Sequence, residues 1–310
     1  MTSENSYQYQ IAYGKAHVPV YRVYATPLTG IPAIPESTFT GRENVLFAVE
    51  IDVEVFGENF LPAYTQGDNS NVVATDSMKN FILRHALSYE GATLEGYLEE
   101  LGHQFLATYP VMERLRMSGR ELAFTPAQVP AGGGQFGESN VLFSHSNNDY
   151  GEAHMDFATV NGVTTMTMHE CGRVDMQLMK VTGSAFTHFV RDNYTTLPER
   201  SDRPLYIYLD AHWKYGDAAD MHTRYIPSEQ VRDAIQVVFH EFVSESIQHL
   251  MHEMGKRLLA RFPQMTEVSF YGQNRTRDPM VLSETDQKRK VYSDPFPAFG
   301  TLKLTMSRGK

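Results

Sequence analysis

Two similar α+β halves, each an antiparallel four-stranded sheet with a helix pair on one face, are what the apolar pattern of this 310-residue chain predicts. Three features carry the expectation. Apolar residues alternate with polar ones over Val45 to Val55 and again over Leu205 to Trp213. Each alternating stretch is followed by two amphipathic helical stripes. The order strand, strand, helix, helix, strand, strand then occurs twice.

The first half opens with a strand-like stretch from Tyr7 to Ala25, interrupted at Gly14-Lys15, where a glycine signals a bulge or a close backbone approach. In the second strand Val45, Phe47, Val49, Ile51, Val53 and Val55 share one face, opposite Glu50, Asp52 and Glu54. Thr75-Asp76-Ser77 supplies caps for a helix from about Met78 to Tyr89, ended by Gly91. Leu94, Tyr97, Leu98, Leu101 and Phe105 form the next stripe, closed by Pro110. Strands are expected at Val111–Met117 and from about Ala153 to Met168, the latter turning at Asn161-Gly162, a pair that accepts the positive φ of a two-residue hairpin. Pro126–Gly137 reads as a long surface loop. In the second half Val174, Met176 and Leu178 alternate, and Leu205, Ile207, Leu209, Ala211 and Trp213 do so again. A helix follows Pro227-Ser228 with Val231, Ile235, Val238 and Phe242 on one stripe. Another carries Ile247, Leu250, Met251, Met254 and Leu258 and stops at Pro263. Strands return at Val268–Tyr271 and Thr301–Met306. The domain boundary is placed at the Asn161-Gly162 turn, giving residues 1–161 and 162–310.

Composition narrows the function. Lys plus Arg number 27 against 37 Asp plus Glu, a formal charge of −10, which argues against nucleic acid as a partner. The single cysteine, Cys171, excludes an internal disulfide and a thiolate zinc site. No apolar run approaches the roughly 20 residues of a membrane helix. Met1 to Tyr9 lacks the apolar stretch of a secretory signal, and Ser307-Arg308-Gly309-Lys310 is not a peroxisomal tripeptide, so a cytoplasmic protein is expected. Three short signals invite chemistry and are read as structural instead. Gly132 to Gly137 fits GxGxxG but lacks a βαβ context. His249 and His252 lie at i, i+3 on a helix without a third ligand, and His169-Glu170-Cys171 reads as strand residues near a turn. No metal site is expected.

Six stretches carry a resemblance. They are Tyr13-Gly14-Lys15-x-x-Val18-x-Val20; Val73-Ala74-Thr75-Asp76-Ser77-x-Lys79-Asn80; Ser184-x-Phe186-x-x-Phe189-x-Arg191-Asp192-x-Tyr194-Thr195-Thr196-Leu197; Asp202-Arg203; Asp210-Ala211-x-Trp213; and Ser246-Ile247-Gln248. In this order, over nearly the whole chain, they resemble the urate oxidase (uricase) family. The resemblance implies tandem tunnelling-fold (T-fold) domains and a cofactor-free oxidase that turns urate, dioxygen and water into 5-hydroxyisourate and hydrogen peroxide. The protein would remove a proton from urate, and the electron-rich anion would itself reduce dioxygen.

Carried over residue by residue, the resemblance implies that Phe186 stacks on the purine. Arg203 and Gln248 hold its polar edge, and Ile247 contributes its backbone amide. Thr75 and Asp76 also contact substrate, Asn274 faces a small pocket for dioxygen or water, and Thr75 and Lys15 form a proton relay. Family members often carry a histidine two residues after the asparagine. Thr276 stands there in this chain and takes the third relay place, although a threonine holds no charge near neutral pH. The family's assembly, a homotetramer with sites between subunits, is expected here too. Two other readings stay open: a pterin-handling enzyme of the same fold, several of which use zinc, and a purine-binding protein without catalysis.

Overall fold

The computed structural model describes residues 7–145, 148–275, 279–286, 288–293 and 297–309. The chain forms two compact units. The first comprises Met1–Thr29, Arg42–His145 and Glu152–Glu170; the second comprises Gly30–Gly41, Ser146–Gly151 and Cys171–Lys310. These units exchange within a strand, between Glu170 and Cys171, whereas the pattern of apolar residues sets the division at the preceding hairpin.

In the first unit, β1 (Ala12–Val23), β2 (Leu46–Phe56), β3 (Arg114–Glu121) and β6 (Tyr150–Val160) pair antiparallel in that order. The strand β7 (Val163–Lys180) follows β6 through Asn161-Gly162, whose φ values of 52° and 78° are those the turn demands. Two short helical turns aside, the helices are α2 (Thr75–Ser88) and α3 (Leu94–Thr108), after α1 (Leu61–Thr65). Ile51, Val53, Val55, Met117 and Met155 on the sheet, and Ile82, Leu98, Leu101 and Phe105 on the helices, are each no more than 2 % exposed. The alternation read from the sequence is therefore the boundary between a dry face and a charged one.

The second unit repeats the plan. The C-terminal part of β7, β8 (Leu205–Tyr215), β9 (Met265–Asn274) and β12 (Gly300–Ser307) pair antiparallel. After the short α4 (Asp220–Thr223) come α5 (Ser228–Glu241) and α6 (Ile247–Arg261), which bury Val231, Ile235, Leu250, Met254 and Leu258. In each unit a cation near the end of the first strand closes the C-terminus of the first long helix, where carbonyls lack helical partners. Arg22 donates to the carbonyls of Ala86 and Tyr89. Lys180 donates to those of Phe239, His240 and Phe242 at 2.9–3.1 Å.

The structure corrects several expectations. Pro126–Gly137 is not a loop: β4 (Phe124–Gly132) and β5 (Gln135–His145) form a two-stranded ribbon inserted between β3 and β6. A second ribbon, β10 (Pro279–Leu282) with β11 (Lys290–Tyr292), occupies the corresponding place between β9 and β12. Gly132, Gly133 and Gly134 have positive φ and form the ribbon's turn, which is what the GxGxxG match encodes. Thr75, Asp76 and Ser77 are the first turn of α2, not its caps; Ala74 holds the cap position with no side-chain bond. Cys171 lies in the middle of β7, fully buried and paired with Trp213, so His169-Glu170-Cys171 is not beside a turn. Among the described residues no helix is long and apolar enough to cross a membrane, and no cluster of three metal-ligating side chains occurs.

The seat of α3 on its sheet depends on Gly102. A Cβ there would lie 2.4–2.6 Å from the Phe157 ring. Because Phe157 is only 1 % exposed and cannot swing away, Gly102→Ala is expected to lower unfolding stability by about 1–3 kcal/mol, read by urea denaturation; an unchanged midpoint would show that the helix seat is pliable.

Candidate active site

In the first unit, one strand and one helix start bring three of the sequence-derived residues together. Lys15 pairs with Val53, a core residue, and so shares the helix-facing side of the sheet. The amide of Val73, entering α2, donates to the Tyr13 hydroxyl at 3.1 Å, which ties the helix start to the strand that carries Lys15. Burial pushes the Tyr13 phenol up, against the pull of that bond. Thr75 is half-buried at the first helical position, and Asp76 is exposed beside it. Asp76 accepts from Lys79 at 2.6 Å and from Asn80 at 3.0 Å. Lys79 chiefly, with a smaller contribution from the charge on Lys15, holds the Asp76 carboxyl below the usual range. Lys15 is thus within electrostatic reach of the first turn of α2.

In the second unit the segment between β7 and β8 folds back on itself. Phe186 and Arg200 exchange both backbone hydrogen bonds, at 2.8 and 3.0 Å, and the Arg203 amide donates to Ser184 at 2.8 Å. This sets the Arg203 guanidinium 5.2 Å from the centre of the Phe186 ring. Phe189 stacks on Phe186 at 4.9 Å, with 12° between the planes. A bridge between Ser184 and Ser244, with the Ala185 amide donating to Ser244 at 2.7 Å, joins this segment to the residues entering α6. Ser246 caps that helix by accepting from the His249 amide at 3.1 Å. Ile247 and Gln248 are its first two residues, whose amides have no partner within the helix. Ile247 is buried, and Gln248 is exposed.

Asn274 comes from the sheet. It ends β9, opposite Ile207 and Gly300. On either side of it the Arg275 guanidinium donates to Gln273 Oε1 at 2.6 and 3.1 Å and lies 3.6 Å from the centre of the Phe299 ring. Thr276 lies outside the described residues. Three contributors escaped the sequence reading as working parts: Phe189, Arg275 and Asp202. Asp202 accepts from Thr182 Oγ1 at 2.8 Å and from the Gly183 amide at 2.7 Å, fixing the turn that leads to Phe186. Its place just before Arg203 was the available signal.

In the second unit a guanidinium beside an aromatic ring is suited to a planar anion, and in the first an amine lies within electrostatic reach of a helix start. The uricase family model matches residues 11–154 and 169–301. The uricase of Haloferax volcanii is 47% identical over 302 residues, covering 96% of this chain and 98% of that protein. The uric acid degradation bifunctional protein of Bacillus subtilis is 43% identical over 304 residues; the match covers 96% of this chain and 61% of the longer relative. A crystal structure of Bacillus sp. TB-90 urate oxidase superimposes with a TM-score of 0.93 at 42% identity, covering 96% of this chain and all of that one. The chain belongs to the uricase family.

Asp202 gives a pH test of the ring's support. Burial works against its ionised form, but bonds from Thr182, Gly183 and Ser184 outweigh burial and hold the carboxyl below its ordinary value. A lowered carboxyl pKa stabilises above the unfolded value, about 3.8–3.9, and that support is lost as the pH falls through the folded value. The protection factors of the Gly183 and Ser184 amides, each referred to the intrinsic exchange rate at the same pH, are therefore expected to fall on acidification below that range, and Asp202→Ala to show low protection already at neutral pH. Equal protection in variant and wild type would remove Asp202 from this role.

Proposed function

We propose that the chain is a urate oxidase acting on urate, dioxygen and water to give 5-hydroxyisourate and hydrogen peroxide, and that it works in the cytoplasm. The Phe186–Arg203 pair at the start of α6, in a chain of the uricase family, is the observation that carries this reading. A purine ring stacks on Phe186. The Arg203 fork and the Gln248 amide pair with the oxygen and nitrogen edge, Gln248 being able both to donate and to accept. The free amide of Ile247 adds a donor at the positive end of the helix.

Thr75 and Lys15 handle the proton. The threonine hydroxyl accepts it from urate while passing its own to the lysine amine, so the bound anion gains electron density and the positive charge arises on Lys15, one hydroxyl away. Two electrons then pass from the anion to dioxygen. Water supplies the hydroxyl that bonds to carbon and releases one proton, which together with the proton returned by the relay completes hydrogen peroxide. Urate is itself the reductant, so no cofactor has to carry electrons. Asn274 holds dioxygen or water against the ring, Asp76 supports the substrate contacts of Thr75, and Thr276 ends the relay.

The assembly proposed is a homotetramer. Among the described residues β1 has a hydrogen-bonded sheet neighbour on one side only, as has β12, and such edges are stable in solution when another chain pairs with them. The site then lies between subunits, with Lys15 and Thr75 from one chain and Phe186, Arg203, Gln248 and Asn274 from its neighbour. A fully active monomer in sedimentation at assay concentration would overturn this arrangement.

The activity is tested by loss of the near-ultraviolet band of urate together with peroxide release; tight urate binding with no turnover would make the protein a binder only. Arg203→Ala and Gln248→Ala each remove a hydrogen bond from a desolvated edge, worth about 1.5–3 kcal/mol, and KM is expected to rise roughly tenfold to a hundredfold. An unchanged KM would take the residue out of the clamp. Lys15→Met keeps the aliphatic stem and loses the amine, so kcat is expected to collapse while urate binding persists.

A further inference from the structure

Lys15 stands at an unexpected parity. Val18 and Val20 are core residues of β1, and alternation places an odd-numbered Lys15 on the opposite, charged face from them. The register shows how it comes to share their face. Lys15 pairs with Val53 and Val18 with Ile51, so Ala16 and His17 together stand opposite the single residue Asp52. This is a β-bulge, and its extra residue shifts the phase of the strand. His17 adopts φ 55°, in the left-handed region that is unfavourable for an L residue. The conformation is held by the Asp52 carboxylate, whose Oδ1 accepts the His17 amide at 2.5 Å.

The second unit contains the same device, built from different residues. Arg173 pairs with Ala211 and Met176 with Leu209, leaving Val174 and Asp175 opposite Asp210. Asp175 has φ 60°, and its amide donates to Asp210 Oδ1 at 2.8 Å. Here the outcome is visible in the contacts. Arg173, in the place of Lys15, is buried on the helix side, and its Nη1 lies 3.3 Å from the hydroxyl of Ser228. Ser228 is the first residue of α5, as Thr75 is the first residue of α2. In this unit Asp149 closes the pair by accepting from the same guanidinium, at 2.8 Å from Nε. One bulge held by one aspartate thus delivers a strand cation to the hydroxyl at a helix start.

We infer that Asp52 is a positioning residue for Lys15: by clasping the His17 amide it keeps the bulge that turns the lysine toward Thr75. The inference rests on the reading of Lys15 as proton acceptor. Asp52 touches no reacting atom in this scheme. The groups facing the bulge are Glu50 and Asp52 on β2 and Arg120 on β3. The His17 ring Nδ1 donates to Glu50 at 2.9 Å, and Arg120 donates to the same oxygen at 2.9 Å. The bond to Glu50, and then the charges of Glu50 and Asp52, hold the His17 imidazole above its ordinary pKa; burial and Arg120 act in the other direction. The charged form of this second fastening is fully present below about 6.5 and is lost as the pH rises through the raised value.

The test compares Asp52→Ala, Asp52→Ser and Asp52→Asn in the assembled enzyme, with kcat, KM and the pH profile of kcat for each. Asparagine keeps the Oδ1 acceptor and loses only the charge; alanine and serine cannot reach the amide. Alanine and serine are expected to lower kcat by about tenfold or more with KM within about twofold. They are also expected to displace the lysine-dependent limb of the profile, whereas asparagine restores both. Serine serves if the alanine variant does not fold. Retained kcat in alanine or serine, a profile merely scaled without movement of its limb, or a loss in asparagine equal to that in alanine would each overturn the inference. Lys15→Met run alongside separates the two readings. If it keeps the wild-type rate and limb, the role of Lys15 fails; if it loses them while alanine at position 52 does not, only the role of Asp52 fails.

Discussion

Side chains leave a β-strand alternately on one face and the other, and in each unit a single helix pair keeps one of those faces dry. The rest of the arrangement follows from that division. Ile51, Val53 and Val55 turn to the helices, while Glu50, Asp52 and Glu54 turn away. A polar group that must work on the helix side has few places to stand, because most of that side is filled by Met78, Ile82, Leu98 and Leu101. The openings are at the rim, where a helix begins and its first amides and hydroxyls point outward. Thr75 and Asp76 occupy one such rim, and Ile247 and Gln248 occupy another. Thr75, Asp76, Ile247 and Gln248 stand at helix starts because the packed interior leaves little room for polar groups elsewhere on that side.

Much of this architecture is legible in the sequence, because alternation and helical stripes are local. The two sheet-and-helix halves, the Asn161-Gly162 turn and the core positions of β2, β8, α3 and α6 all follow from spacing alone. The ribbon at Phe124–His145 was hidden by its composition. Pro126, Pro130 and three consecutive glycines suppress strand propensity, yet a two-stranded ribbon with free edges tolerates all of them. α2 begins three residues before the apolar stripe indicates, because Thr75, Asp76 and Ser77 are good capping residues that here continue the helix. For the candidate site, family motifs named the residues, but the pairing of Phe186 with Arg203 depends on a fold-back secured by Ser184, Arg200 and Asp202. Partners so far apart in sequence leave no local trace.

Gly14 shows how one residue can signal correctly for a reason that needs the structure. A Cβ at this position would lie 1.9 Å from the Val53 carbonyl oxygen. The glycine marks a close backbone approach, and the bulge lies just beyond it, at Ala16 and His17. The duplicated plan makes such details easier to interpret. Arg22 and Lys180 close equivalent helices, and two ribbons interrupt equivalent strand pairs. The two units share a frame and differ in the side chains mounted on it. Arg173 is buried and enclosed by Asp149 and Ser228, while Lys15 is only half-buried.

The burial of Cys171 acquires another meaning beside the proposed chemistry. Hydrogen peroxide attacks accessible thiolates first and thioethers more slowly. The one thiol of this chain lies in mid-strand, shielded from water and opposite Trp213. Most of the described methionines are likewise sealed in the two cores, while Met179 and Met280 stand exposed. A catalyst bathed in its own oxidant would therefore take its first damage at surface thioethers, where an added oxygen perturbs no packing. Ageing under turnover would leave its mark on the surface of the molecule long before it reached the core.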